Sequence, residues 1–192
     1  AEAQIIDTYR VSRSFDKALE ESESAVKKFP DDRFITDARA MALADAGRMD
    51  EAIAMTRKLL NGKNDVEVYI SLAQLNEKGK HYAEATNALD SASKLAISKE
   101  DKVNILFLRG DLLEKEKKYD DAEAAFKKVL ELDPDNTSAM NYIGYMLAER
   151  NTRLDEAEQF IQKALQRDPN NGAFLDSLGW VYFRMNKLND AE

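Results

Sequence analysis

The sequence contains one histidine, His81, so any imidazole-based acid–base or nucleophilic chemistry would have to be built around that residue. It stands in Lys80-His81-Tyr82, between two helical patterns and without a second metal ligand beside it, which makes it a solvent-exposed turn residue. With no cysteine there is no thiolate nucleophile, disulfide framework or Cys-ligated zinc. The chain also lacks a phosphate loop ending in Gly-Lys-Ser/Thr, a His-Glu-x-x-His pair and a dinucleotide fingerprint. Asp31-Asp32 and Asp133-Pro134-Asp135-Asn136 concentrate oxygen ligands, yet neither alternates them about a central glycine as a calcium loop does. Asp and Asn in such places are expected to cap helices by accepting from free amides. Asn136-Thr137-Ser138 fits a glycosylation acceptor but coincides with a helix start. No catalytic residue, cofactor or metal is expected.

Charge narrows the partners. A net charge of -8 opposes a phosphate backbone, so nucleic acid is not an expected ligand. No apolar run approaches the roughly 18–20 residues that a membrane-spanning helix needs.

The elements that position these residues recur. Phe15-Asp16-Lys17-Ala18, Met49-Asp50-Glu51-Ala52, Tyr82-Ala83-Glu84-Ala85, Tyr119-Asp120-Asp121-Ala122, Leu154-Asp155-Glu156-Ala157 and Leu188-Asn189-Asp190-Ala191 each place a large apolar residue three before an alanine. The alanines are spaced 34, 33, 37, 35 and 34 residues apart. Twelve residues upstream stand Ile6, Ala40, Ala73 and Gly110, then Gly144 after one extra turn residue, then Gly179. Seven downstream stand Ala25, Leu59, Ala92, Val129 and Ala164; twelve downstream stand Pro30, Asn64, Ile97, Pro134 and Pro169, a column that holds all three prolines. Small residues permit close helix approach, and proline marks the joins because it cannot continue a helix. Val103–Lys115 and Asp121–Leu132 carry apolar residues at three- and four-residue spacing, whereas no segment sustains two-residue alternation, so helices and no strands are expected.

These landmarks resemble the tetratricopeptide-repeat (TPR) pattern of Leu-Gly, Tyr, Ala, Phe and Pro, over essentially the whole chain. The resemblance implies an all-α fold: a right-handed α-solenoid of helix-turn-helix repeats forming one array over 1–192. Its pairs are expected at about 1–31, 32–65, 66–102, 103–136 and 137–171, with a sixth first helix over 172–192. The pattern stops at Ala191-Glu192, where another helix is due, so a longer parent chain is expected, with self-association possible through that end.

In TPR proteins the first helices line a concave face that holds proteins or peptides. Its exposed positions lie six and three before, and one, four and five after, the Gly/Ala column. By that resemblance the face comprises Phe34, Asp37, Met41, Ala44 and Asp45, then Glu67, Ile70, Gln74, Glu77 and Lys78. Asn104, Phe107, Asp111, Glu114 and Lys115 follow, then Ser138, Asn141, Tyr145, Ala148 and Glu149, then Ala173, Asp176, Trp180, Phe183 and Arg184. The candidate peptide-binding residues are Phe107, Asp111, Asn141, Tyr145, Asp176, Trp180, Phe183 and Arg184. Large aromatics are favoured at hot spots, and the acidic excess of this set favours a neutral to basic partner with apolar anchors. Without a lysine three before the column paired with an asparagine one after, no repeat resembles the carboxylate clamp of chaperone-binding TPR domains. The asparagine ladder of O-linked N-acetylglucosamine transferase is missing too.

Asn141-Tyr142-Ile143-Gly144-Tyr145-Met146-Leu147-Ala148-Glu149-Arg150 and Phe174-Leu175-Asp176-Ser177-Leu178-Gly179-Trp180-Val181-Tyr182 resemble a bacterial TPR subgroup of Gram-negative envelope adaptors and lipoproteins. The expected function is a non-enzymatic adaptor or assembly scaffold, in the bacterial periplasm or envelope rather than the cytoplasm. The alternative is a regulatory or substrate-recruiting segment of a larger enzyme.

Overall fold

The computed structural model describes residues 2–63 and 65–191, and within them the backbone is helical with no strand. Eleven helices occur among the described residues: α1 (Glu2–Val11), α2 (Phe15–Lys28), α3 (Arg33–Asp45), α4 (Met49–Arg57), α5 (Asp65–Lys78), α6 (Tyr82–Leu95), α7 (Lys99–Lys115), α8 (Tyr119–Leu132), α9 (Thr137–Glu149), α10 (Leu154–Arg167) and α11 (Gly172–Arg184). They group into two compact units, one ending at Ile97 and the other beginning at Ser98. In the first, each helix packs on the next and α3 also touches α1 and α5; in the second, successive helices pack likewise and α9 touches α11.

The alanine column accounts for this packing. Ala18, Ala52, Ala85, Ala122 and Ala157 are all completely buried, each on the second helix of a pair. Glycine supplies the other side of two contacts. A Cβ at Gly110 would lie 2.8 Å from the ring of Phe126 on α8, and one at Gly144 would lie 2.5 Å from Cγ1 of Ile161 and 2.9 Å from the Ala157 carbonyl oxygen on α10. Three acceptor side chains start helices, the first two in the clusters expected to cap: Asp32 takes the Phe34 and Ile35 amides, Asn136 the Ala139 amide, and Asn171 the Ala173 and Phe174 amides. His81 is exposed and immediately precedes α6.

One helix starts earlier than the sequence expectation, and another ends short of its repeat column. Helix α7 begins at Lys99, four residues before Val103, because the Ser98 hydroxyl accepts from the Asp101 amide and sets the first turn earlier. Helix α4 ends at Arg57, so Leu59 falls outside it. The chain instead turns through Gly62 at φ +78°, and the Asp65 carboxylate accepts the Asn61 and Gly62 amides at 3.2 and 2.8 Å. Asn64, expected in the proline column, lies outside the described residues.

Each pair turns through a left-handed residue after its first helix: Arg13, Gly47, Lys80, Lys117, Asn151 and, after α11, Asn186. At Lys117 the turn is closed by the Lys117 amide to the Glu114 carbonyl at 2.8 Å and the Lys118 amide to the Leu113 carbonyl at 2.9 Å. An L side chain pays about 1–2 kcal/mol there, whereas glycine costs about 0.5–1 kcal/mol of chain entropy. Lys117→Gly should therefore stabilise the chain by roughly 0.5 kcal/mol. A raised urea midpoint checks it; a lowered one refutes it.

The extra turn residue before α10 gives a second left-handed position, Arg153. From there its guanidinium reaches Glu123 on α8 at 2.6 Å and Glu156 at 2.9 Å. Glu123 is itself largely buried: desolvation opposes its charge, but hydrogen bonds from Arg153 and Lys127 outweigh it and hold the carboxyl below its usual pKa.

Candidate functional site

The first helices of the two units carry different surfaces. On the first unit, Arg10 of α1 donates to Asp45 of α3 at 2.7 Å, and Lys78 of α5 pairs with the same carboxylate. Burial would raise the pKa of Asp45, yet the two cationic partners depress it. Three first helices are thus tied by one charge chain, and the acidic charge expected at Asp45 is largely compensated. Ala44 and Ile70, expected open, are buried, Ala44 in a cluster with Ala40, Leu43, Ala52 and Leu75.

On the second unit the same register opens into two clefts. The first, about 550 Å³, is walled by Val103, Asn104 and Phe107 of α7 and by Ser138 near the start of α9. The second, about 460 Å³, is formed by Asp111, Glu114 and Lys115 of α7, Asn141, Tyr142, Tyr145 and Met146 of α9, and Ala173 and Ser177 of α11. Phe107, in the first, and Tyr142, in the second, meet edge to face at 5.3 Å, and both rest on the ring of Phe126. The buried aromatic fixes the wall that divides the clefts.

The structure therefore brings together three of the candidate residues, Asp111, Asn141 and Tyr145, in one cleft. Tyr145 is 40% exposed. The amide oxygen of Asn141 is buried and accepts no hydrogen bond from the chain. Phe107 lines the neighbouring cleft, half-buried against Phe126. Asp176 is exposed on α11 but does not line the second cleft. Trp180, Phe183 and Arg184 form a separate stack: the two rings are 5.3 Å apart at 16°, and the Arg184 guanidinium lies 5.3 Å from the Trp180 ring centroid. Trp180 packs against the core of the second unit with its ring N–H buried and unpaired, whereas Phe183 is 54% exposed. Ala148, expected on the open face, is completely buried. Glu114 and Tyr142 belong to the second cleft but were not among the candidates. Glu114 had the right register, and the signal for Tyr142 was an aromatic one turn from Tyr145.

Electrostatics in the second cleft is uneven. Asp111 pairs with Lys115 at 2.8 Å. Glu114 is reached by charge at a distance: burial raises its pKa most, Asp111 repulsion adds to this, Lys115 opposes it and Glu149 raises it further. Burial likewise raises the Tyr145 hydroxyl, followed by the nearby Glu149, to which it hydrogen-bonds. Among the described residues no group of three His, Cys, Asp or Glu is arranged to hold a metal ion.

A carboxyl whose folded pKa lies above its unfolded value costs stability when ionised, and the cost disappears as pH falls through the folded pKa towards the unfolded one. Glu114→Gln should therefore raise the urea midpoint at pH 7, and its advantage over wild type should shrink on acidification towards pH 4. A constant difference across that range would show that Glu114 carries no such cost.

No helix among the described residues is long and apolar enough to cross a membrane. The tetratricopeptide repeat family model matches residues 70–137 and 107–172. Among curated proteins, Protein O-mannosyl-transferase TMTC1 of Homo sapiens is 27% identical over 133 residues, which is 68% of this chain and 15% of that protein. The chain thus spans well under a quarter of the length of that relative. Among solved structures, pilF of Pseudomonas aeruginosa matches with a TM-score of 0.71 over 100% of this chain and 86% of its own, at 19% identity. YrrB, described as a TPR protein with an unusual peptide-binding site, matches with a TM-score of 0.57 over 88% of this chain and 86% of its own, also at 19% identity. Those two likenesses are of fold alone.

Proposed function

We infer, from the premise that this chain belongs to the tetratricopeptide-repeat family, that it is a non-enzymatic adaptor or assembly scaffold. It holds a protein or peptide segment against the first helices of its second compact unit. One observation carries the proposal: α7, α9 and α11 converge on an open cleft edged by Tyr145, whereas the corresponding surface of the first unit is tied by the Arg10–Asp45–Lys78 chain. The segment it suits is neutral to basic with apolar anchors, since aromatic walls and surplus carboxylates share the cleft.

Affinity capture with mass spectrometry tests the proposal in matched variants. Tyr145→Ala should lower partner affinity about tenfold, a loss of about 1.4 kcal/mol, with an unchanged unfolding midpoint. Trp180→Ala should instead lower the midpoint, because its ring packs on the core. Full capture by a folded Tyr145→Ala variant would move the binding surface elsewhere.

The stretches Asn141–Arg150 and Phe174–Tyr182 support an envelope adaptor as the setting, and recovery of the tagged protein only from cytosol would remove that setting. The TMTC1 alignment supports a second role, a recruiting segment within a larger enzyme, since the matched region is 15% of a transferase. Transferase activity that depends on this segment in a parent polypeptide would favour the second role.

A further inference from the structure

We propose that the cleft between α7, α9 and α11 is a specificity pocket for one cationic side chain, lysine or arginine, of an extended partner segment. Glu114 supplies the counter-charge and Tyr145 the aromatic wall. The inference rests on the peptide-binding reading of the second unit and deepens it.

The pocket combines features that no neutral occupant satisfies together. Its walls are aromatic and apolar through Tyr142, Tyr145 and Met146, suited to the methylene stem of a long side chain. Aromatic faces also attract a cationic head by about 0.5–2 kcal/mol. Its polar lining is unbalanced: two carboxylates, Asp111 and Glu114, stand with one cation, Lys115, which is bonded to Asp111, and Glu114 feels repulsion from Asp111 and Glu149 against attraction from Lys115. A cation entering beside Glu114 relieves that repulsion; a carboxylate would add to it. The Asn141 side chain adds a polar group to the lining. A lysine or arginine side chain supplies the apolar stem and the positive charge at once.

The contrast with Asp45 sharpens the assignment. There an acidic group on a first helix of the first unit is already neutralised by Arg10 and Lys78 from the chain itself. At Glu114 the one cation of the chain that acts on it, Lys115, is already bonded to Asp111.

The test is a random dodecapeptide library selected against the whole chain, in parallel with Glu114→Gln and with Tyr145→Ala. A wild-type selection should fix a lysine or arginine at one position, and the Glu114→Gln selection should lose that preference. Replacing the fixed basic residue of a synthesised wild-type winner by norleucine should weaken binding at least tenfold. Glu114→Gln should weaken the unmodified winner by a similar factor, and added salt should do so progressively. Because Glu114→Gln is expected to be more stable than wild type, its loss of binding would not reflect unfolding. Winners without a basic preference, or a preference that survives Glu114→Gln, would overturn the pocket while leaving peptide binding intact. Failure to enrich any peptide over bare matrix would overturn both.

Discussion

Phe126→Ala should lower the unfolding free energy by about 3–5 kcal/mol, the usual cost of emptying a buried aromatic site. Phe126 is completely buried, and its ring supports both Phe107 and Tyr142, so its loss opens a cavity beneath the wall between the two clefts. The same ring lies 2.8 Å from where a Cβ on Gly110 would stand. Gly110→Ala alone should therefore destabilise through overlap. On the Phe126→Ala background the new methyl enters vacated space and the helix gains the roughly 1 kcal/mol by which alanine exceeds glycine, so the same change should stabilise. Urea melts followed by Trp180 fluorescence complete the double-mutant cycle, Trp180 being the only tryptophan and lying in the same unit. Additive effects of the two substitutions would disprove the contact between ring and glycine.

Gly144→Val should cost about 3 kcal/mol, at the upper end of overpacking, because the first added carbon already meets two immovable neighbours. One is Cγ1 of Ile161 at 2.5 Å, on a completely buried side chain; the other is the Ala157 carbonyl oxygen at 2.9 Å, part of the α10 backbone. Relief requires α9 and α10 to separate, which would uncover Ala157 and shift the helix bearing Asn141 and Tyr145. Peptide affinity should fall with stability in this variant, unlike in Tyr145→Ala, where affinity alone should change. Gly172→Ala is the control: a Cβ there meets nothing within 4 Å, so its midpoint should not fall. A Gly144→Val midpoint matching that control would show that α9 and α10 are not in close contact at this point.

Much of this molecule is written in local pattern. The alanine column, the Gly110 and Gly144 contacts and the caps at Asp32, Asn136 and Asn171 follow from residue size, helical period and short-range hydrogen bonding, all visible within one or two repeats of sequence. Where a local signal competes with the repeat, the column misleads: Ser98 starts α7 early, and the Asn61-Gly62 turn held by Asp65 leaves Leu59 outside α4. Positions on the first helices were assigned by register, and register says which way a side chain points but not what comes to meet it. Only the packed helices reveal that Ala44, Ile70 and Ala148 are covered, or that Trp180 lies against the core while Tyr145 edges a cleft. Charge follows the same division. Asp45 and Glu114 both read as acidic groups on one face, yet Asp45 is neutralised by Arg10 and Lys78 from two other helices, whereas at Glu114 burial and repulsion from Asp111 and Glu149 outweigh the attraction of Lys115. Burial and compensation are sums over neighbours distant in sequence, so they are fixed only when the helices are in contact.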